Sequence, residues 1–177
     1  MSALLAAGGG AAALVIILIF WLVLVRRRLE RGWTGVRDCA DALDTCFRRR
    51  AELTPRLIEI ARGSLPGEGE TLASLRRLRA RSLEGRNPVE RSKAEDAISL
   101  AITRIFSAGD DSPSLSGRTD FEWLKERLIE AGHAIVHAQE AYREAARAYN
   151  KMADTFPASF MGSDSRAVEA AGYNTGR

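Results

Sequence analysis

His133 and His137 stand at i and i+4, a spacing that lets two imidazoles on one helix face share a metal ion. A metal site needs further ligands, and neither a cysteine nor a carboxylate completes a recognisable set. Glu122, Glu126, Glu130, Glu140 and Glu144 occupy the same stretch. A di-iron bundle, however, takes a Glu-x-x-His motif from each of two helices, and no second motif exists. The two histidines also fall on the face opposite the apolar stripe of their segment, so they are expected at the surface. Cys39 and Cys46 are seven residues apart, roughly 10 Å along a helix and too far for a disulfide with each other. They read as small, half-buried side chains in a reducing compartment. No glycine-rich phosphate loop is present, and no serine sits in a nucleophile elbow. The expectation is therefore no catalytic residue, no metal and no cofactor.

Residue types suited to recognition are more plentiful. Arg76, Arg77 and Arg79, with Arg81 and Arg86, form a basic run, and Arg48 to Arg50 form another. Such a run either docks an anionic lipid or acidic partner, or is a solvated face balanced by Glu84 and Glu90. Tyr142 and Tyr149 lie on an apolar stripe and read first as core. Asn150 sits just off that stripe and is the better candidate for a polar contact.

These groups need helices to hold them, and the charge pattern shows where the helices stand. The chain has 177 residues, 26 basic and 23 acidic, for a net charge of +3. Arg26, Arg27, Arg28 and Arg31 against Glu30 supply the whole excess, leaving 22 basic and 22 acidic side chains beyond them. Nucleic acid is not an expected partner, because the charge is confined to one join. That join closes an apolar run, Ala3 to Val25, which has no charge and no proline. At 1.5 Å per residue the run reaches roughly 35 Å, enough for the hydrocarbon core of a bilayer. A cleavable signal peptide carries positive charge before its apolar segment and a small-residue cleavage site after it; here the order is reversed. The run is expected to be an uncut single-pass anchor. Positive charge stays on the cytoplasmic side, which puts the N-terminus outside and the remainder in the cytoplasm of a cell-membrane protein. Arg26, Arg27, Arg28 and Arg31, with Trp21 and Trp33, would then meet lipid headgroups. Gly8, Gly9 and Gly10 give the outer end a small-residue face for packing on another helix.

The rest reads as all-α, without the strict alternation of a strand. Phe121, Leu124, Leu128, Ala131, Ile135, Ala138, Tyr142, Ala145, Tyr149, Met152 and Phe156 recur at 3–4 spacing without a miss. This is the stripe of a long helix packed in coiled-coil fashion, stopped by Pro157. An earlier helix from about Trp33 to Arg62 carries Trp33, Val36, Ala40, Leu43 and Phe47 on its core side, then Leu53, Leu57, Ile58 and Ala61. Its register breaks around Pro55, where a bend is expected. Only Gly32 interrupts the path from Val25, so the anchor is expected to run into this helix as a stalk. Two shorter helices come next: about 70–83, with Leu72, Leu75, Leu78 and Leu83, and one opened by Asn87-Pro88 with Ala94, Ala97, Ile98, Ala101, Ile102 and Ile105. Short loops give an antiparallel up-and-down four-helix bundle with long first and last helices. The expected division is 1–25 anchor, 26–156 bundle and 157–177 flexible tail.

Several motifs in this order resemble the LemA family of bacterial membrane proteins. They are the N-terminal span followed by Trp33, the segment from Arg49 to Leu57 with its Leu53-Thr-Pro55-Arg-Leu57, and Ala94-Glu95. Pro113-Ser-Leu115, Phe121-Glu-Trp-Leu124, and Tyr142 with Tyr149-Asn150 and Thr155-Phe156-Pro157 complete the set. Gly132-His133, Gln139 and Arg143 depart from the family pattern, which has Glu-Asn, Arg and Asn near those places. The resemblance implies a single-pass protein with a helical bundle and no established catalytic role. The expected function is a membrane-anchored interaction or scaffold protein, bound to lipid through the span and Arg26–Arg31 and to an unidentified protein partner. The alternative is a membrane-organising protein that acts by self-association, as a homo-oligomer. A metal sensor or enzyme, resting on His133 and His137 alone, is the weakest reading.

Overall fold

A computed structural model describes the backbone of residues 2–85 and 88–153 and the side chains of 16–85 and 91–153. Among the described residues the structure is all-α, with four helices: α1 (Ser2–Ser64), α2 (Gly69–Glu84), α3 (Pro88–Asp110) and α4 (Thr119–Ala153). A single 3-10 turn, Pro66–Glu68, joins α1 to α2. Phe156, Pro157, Arg86, Asn87 and the tail lie outside the described residues.

α1 is one uninterrupted helix of 63 residues, roughly 95 Å long. The expected passage from the apolar run into the first bundle helix is thus direct. The expected break in register around Pro55 does not occur. The stripe of buried positions runs Leu43, Phe47, Arg50, Thr54, Leu57 and Ala61 through the proline without a slip. Two of its members are polar, which is why the apolar pattern looks interrupted in the sequence. Pro55 has no N–H to give to the Ala51 carbonyl, a gap that ordinarily weakens a helix. Arg79 of α2 fills it, its Nε donating to the Ala51 oxygen at 2.6 Å. Thr54 donates its hydroxyl to the Arg50 carbonyl at 2.8 Å. The expected anchor over 3–25 falls partly on residues 1–15, whose side chains lie outside the described residues. Among the described residues no helix is long and apolar enough to cross a membrane.

The helices do not share neighbours equally. α4 packs along α1, α2 pairs with α3, and that hairpin rests on α1 mainly through α2. The largest core joins all four helices. It includes Leu57, Ala61, Leu75, Ile98, Ile102, Ile105, Leu115, Phe121, Leu124 and Leu128. Phe121 meets Phe106 edge to face, with ring centroids 6.2 Å apart. The α3–α4 connection turns through Gly117, whose φ of +79° suits glycine. Nearer the start of α1, two smaller clusters join only α1 and α4. One is Leu43, Phe47 and Ile135; the other is Val36, Tyr142, Tyr149 and Ala153 with Cys39, Ala40, Ala145 and Ala146 around it. The molecule is a four-helix bundle at one end and a two-helix pair at the other.

The stripe expected on α4 is the buried one. Phe121, Leu124, Leu128, Ala131, Ile135, Tyr142 and Tyr149 are all buried. On α2, Leu83 departs from expectation: it is 36% exposed, and its neighbour Ser82 is fully buried instead. The reason is polar, because Ser82 donates to the Glu95 carboxylate.

Candidate interaction surfaces

A buried polar centre sits where α1, α2 and α3 meet. Arg50 and Glu95 are 4% and 3% exposed, and the guanidinium pairs with the carboxylate. Arg50 also donates to Ser99 Oγ at 2.7 Å and to the Glu95 carbonyl at 3.0 Å. Its Nε has no hydrogen-bond partner among the described residues. Burial pulls the guanidinium down to about 10, against the pull of Asp96, so it remains cationic at neutral pH. The pair acts as a lock that fixes the three helices in one register, since a lone buried charge is costly. Arg50 and Glu95 stand at core spacing on their helices, and that is the signal the sequence offers. A charged residue on a core stripe, matched by its opposite on another stripe, implies a buried pair.

The basic run on α2 separates into two kinds of arginine. Arg76, Arg77 and Arg81 are exposed, whereas Arg79 is turned inward onto the Ala51 carbonyl. Arg79 therefore holds α2 on α1 and is removed from the outer face. The contact puts Arg79 level with Ala51, roughly 35 Å along α1 from Arg28.

The other candidates gather at the opposite end. Tyr142 and Tyr149 are buried, 5% and 4% exposed, and burial pushes the Tyr142 phenol up. Trp33 tilts against Tyr149, centroids 5.5 Å apart. Register puts Trp33 in the core, yet it is 37% exposed, because it caps the side of a two-helix pair with no third helix to cover it among the described residues. Leu29, Glu30, Trp33 and Tyr149 line a shallow notch there. Gly32 lets α4 come close: a Cβ at that position would stand 2.7 Å from Met152 Cε. Asn150 is half-buried, and its Oδ1 has no partner among the described residues; the Arg143 Nε is in the same condition. Gly132 and Gln139, the other departures from the family pattern, are half-buried. The sequence candidates thus form two groups, not one site. Tyr142, Tyr149, Asn150 and Trp33 come together, and Arg76 and Arg77 stand far from them.

Below Trp33 the surface of α1 changes character. Arg26, Arg27, Arg28 and Arg31 are exposed; Arg26 pairs with Glu30 at 3.2 Å, and Arg31 donates to the Arg27 carbonyl. Ile16, Ile17, Leu18, Ile19, Phe20, Trp21, Val23 and Leu24 are each 43% to 65% exposed. His133 and His137 point to solvent, as their register requires. Among the described residues no group of three or more His, Cys, Asp or Glu side chains could hold a metal. Cys39 and Cys46 are free and half-buried.

The LemA family model matches residues 40–175. The chain belongs to the LemA family. This family is not known as an enzyme family. The match begins within α1, after Trp33, and runs past Ala153 through most of the tail. No curated protein matches the chain.

Proposed function

We propose that this LemA-family chain is a membrane-anchored interaction protein. In this reading residues 3–25 of α1 cross the bilayer, Arg26–Arg31 rest on the cytoplasmic headgroups, and the four-helix end is carried into the cytoplasm on a stiff stalk. The observation that carries it is the row of exposed side chains from Ile16 to Leu24. So much apolar surface left exposed among the described residues is costly in water. The helix bearing it is also the central helix of the bundle, so tether and recognition domain are one rigid piece. The outer α2 face, Arg76, Arg77 and Arg81, is the docking surface. Its distance from Arg28 favours an acidic protein over the lipid in which the chain itself is anchored.

The test is topology. In a chain with Cys39→Ser and Cys46→Ser, Ser116→Cys places one thiol at the bundle's far end. A membrane-impermeant maleimide should label it only after lysis. Labelling in intact cells would place the bundle outside and reverse the charge argument. A second reading, self-association in the bilayer plane, draws on Ile129 and Val136. They are 44% and 59% exposed and lie on the same outer side of α4. A defined homo-oligomer in mild detergent would favour it, and a monomer would favour the adaptor.

A further inference from the structure

Glu30 is the one acidic side chain between Met1 and Arg37, and it stands inside the arginine band. Its pairing with Arg26 leaves both side chains open, 71% exposed for Arg26 and 65% for Glu30. Exposed pairs of this kind contribute little, and a cation placed N-terminal to its anion is the weaker order on a helix. Both groups are therefore ready to exchange partners. Beside Glu30, the Trp33 and Tyr149 rings tilt at 51° to each other, and Leu29 completes the notch they line. Gly32 admits the Tyr149 ring, whose Cδ2 would stand 3.3 Å from a Cβ there. The notch holds about 220 Å³, room for a small polar group and not for a folded partner. Two aromatic rings and a carboxylate around one space are suitable surroundings for an organic ammonium. Arg26, Leu29, Glu30 and Trp33 share one face of α1 by their i, i+3, i+4 and i+7 spacing. Half-buried Leu22 lies one turn before Arg26 on that face. Outward from the apolar run, the face thus offers an apolar side chain, then a cation, then a carboxylate with aromatic rings. Glu30 and Trp33 stand about 6 Å and 10 Å beyond Arg26 along the axis.

We infer that the notch binds the headgroup of one aminophospholipid, such as phosphatidylethanolamine, from the leaflet that α1 leaves. Its phosphate sits on Arg26 and its ammonium lies between the Glu30 carboxylate and the rings of Trp33 and Tyr149. The inference rests on the proposed anchoring, which sets Arg26 at the edge of the hydrocarbon. An aminophospholipid presents acyl chain, phosphate and amine in that order, the order in which Leu22, Arg26 and Glu30 follow one another. The phosphate replaces Glu30 as the partner of Arg26, and the ammonium replaces Arg26 as the partner of Glu30, so no charge is left unpaired. A purely anionic headgroup satisfies Arg26 and leaves Glu30 facing a phosphate. Because Trp33 and Glu30 come from α1 and Tyr149 from α4, a bound lipid also clips the two helices together at the membrane end of the seam.

The experiment uses the full chain. It is first reconstituted into vesicles of phosphatidylethanolamine and phosphatidylglycerol and floated on a density gradient. It is then titrated in mild detergent with phosphatidylethanolamine, its N-acetyl derivative or phosphatidylglycerol, and bound lipids are counted by native mass spectrometry. One phosphatidylethanolamine should be retained, and blocking its amine by acetylation should weaken retention about fivefold. Glu30→Gln and Trp33→Leu, both changes at exposed side chains, should each reduce that preference, while Arg77→Gln leaves it intact. Equal retention of the free and acetylated amine would overturn this inference and leave the anchor standing. So would a preference that survives both Glu30→Gln and Trp33→Leu. Tighter retention of phosphatidylglycerol than of phosphatidylethanolamine would show that the arginines alone select the lipid, and would also overturn it. A chain that fails to float with the vesicles would overturn the anchor and the inference with it.

Discussion

The two ends of the molecule are built from different residues. The four-helix end buries Leu57, Leu75, Ile105, Leu115, Phe121 and Leu124 completely. The tip of the two-helix end, beyond Leu43, Phe47 and Ile135, is lined by Val36, Cys39, Ala40, Ala145, Ala146 and Ala153, with two tyrosines as its large members. Four helices enclose a volume and need large side chains to fill it. Two helices meet along a single seam, where small residues bring the backbones close and long rings cover the sides. Most of the stability must reside in the first end, while the second transmits position. Local opening is expected to begin at the seam, where fewer apolar groups are buried.

The most direct way to break this contrast is to strand the buried charge at the four-helix end. Glu95→Ala leaves Arg50 without its carboxylate and should cost about 3–5 kcal/mol, read as a lower urea midpoint. Replacing the pair together, Arg50→Met with Glu95→Leu, should recover most of that loss. If the single change cost under about 1 kcal/mol, Arg50 would have reached water, and the lock would not exist.

At the seam the matching change is Gly32→Val, which drives a side chain into Met152 and Tyr149. The Met152 methyl can swing aside, but the Tyr149 ring, 3.3 Å from a Cβ there, has to give for the added branch, and overpacking of this kind costs about 1–3 kcal/mol. Here it should appear locally: faster amide exchange over residues 142–153, with protection at Leu57, Leu75 and Phe121 unchanged. A uniform loss of protection in both ends would show that they unfold as one unit.

Legibility in the sequence divides along the same line. The α4 stripe is buried as its spacing requires, because one face of a long helix lies along α1 for its whole length and keeps a clean period. The all-α class and the places of α2 and α3 are equally plain. The buried pair is not, because Arg50 and Thr54 interrupt the apolar pattern of α1 and suggest a fault at Pro55. Composition cannot separate Arg79 from Arg76 and Arg77 either. Only the position of α2 on α1 shows that one of the three arginines faces an orphaned carbonyl. Trp33 is misplaced for a related reason: register says which way a side chain points, but not whether a third helix arrives to cover it.

The Pro55–Arg79 contact gives a sharper test of how the hairpin is held. Arg79→Ala should cost about 1–2 kcal/mol, since the Ala51 carbonyl loses its donor in a half-buried place. In a Pro55→Ala background the backbone N–H returns, and the same Arg79→Ala change should cost clearly less. A double-mutant cycle with no coupling would mean that Arg79 contributes through packing of its stem alone.

The smallest effect lies at the boundary between the two ends. Asp44 of α1 accepts from Arg48 at 2.6 Å and pairs with Arg91 of α3, whose guanidinium also lies over the Phe47 ring at 4.9 Å. Partial burial pushes the Asp44 carboxyl upward, but the hydrogen bonds and charges of Arg48 and Arg91 outweigh it and hold the group below 3.8. A carboxyl depressed in the folded state adds stability above its unfolded value and loses it as pH falls through the folded one. The group is partly solvated, so Asp44→Asn should cost only about 0.5 kcal/mol at pH 7. The difference between the two proteins should close as the pH is lowered from about 5 to 2. A gap that persisted at pH 2 would show that Asp44 acts through shape and not through charge. The top of α3 would then be held to the stalk by Arg91 lying on Phe47.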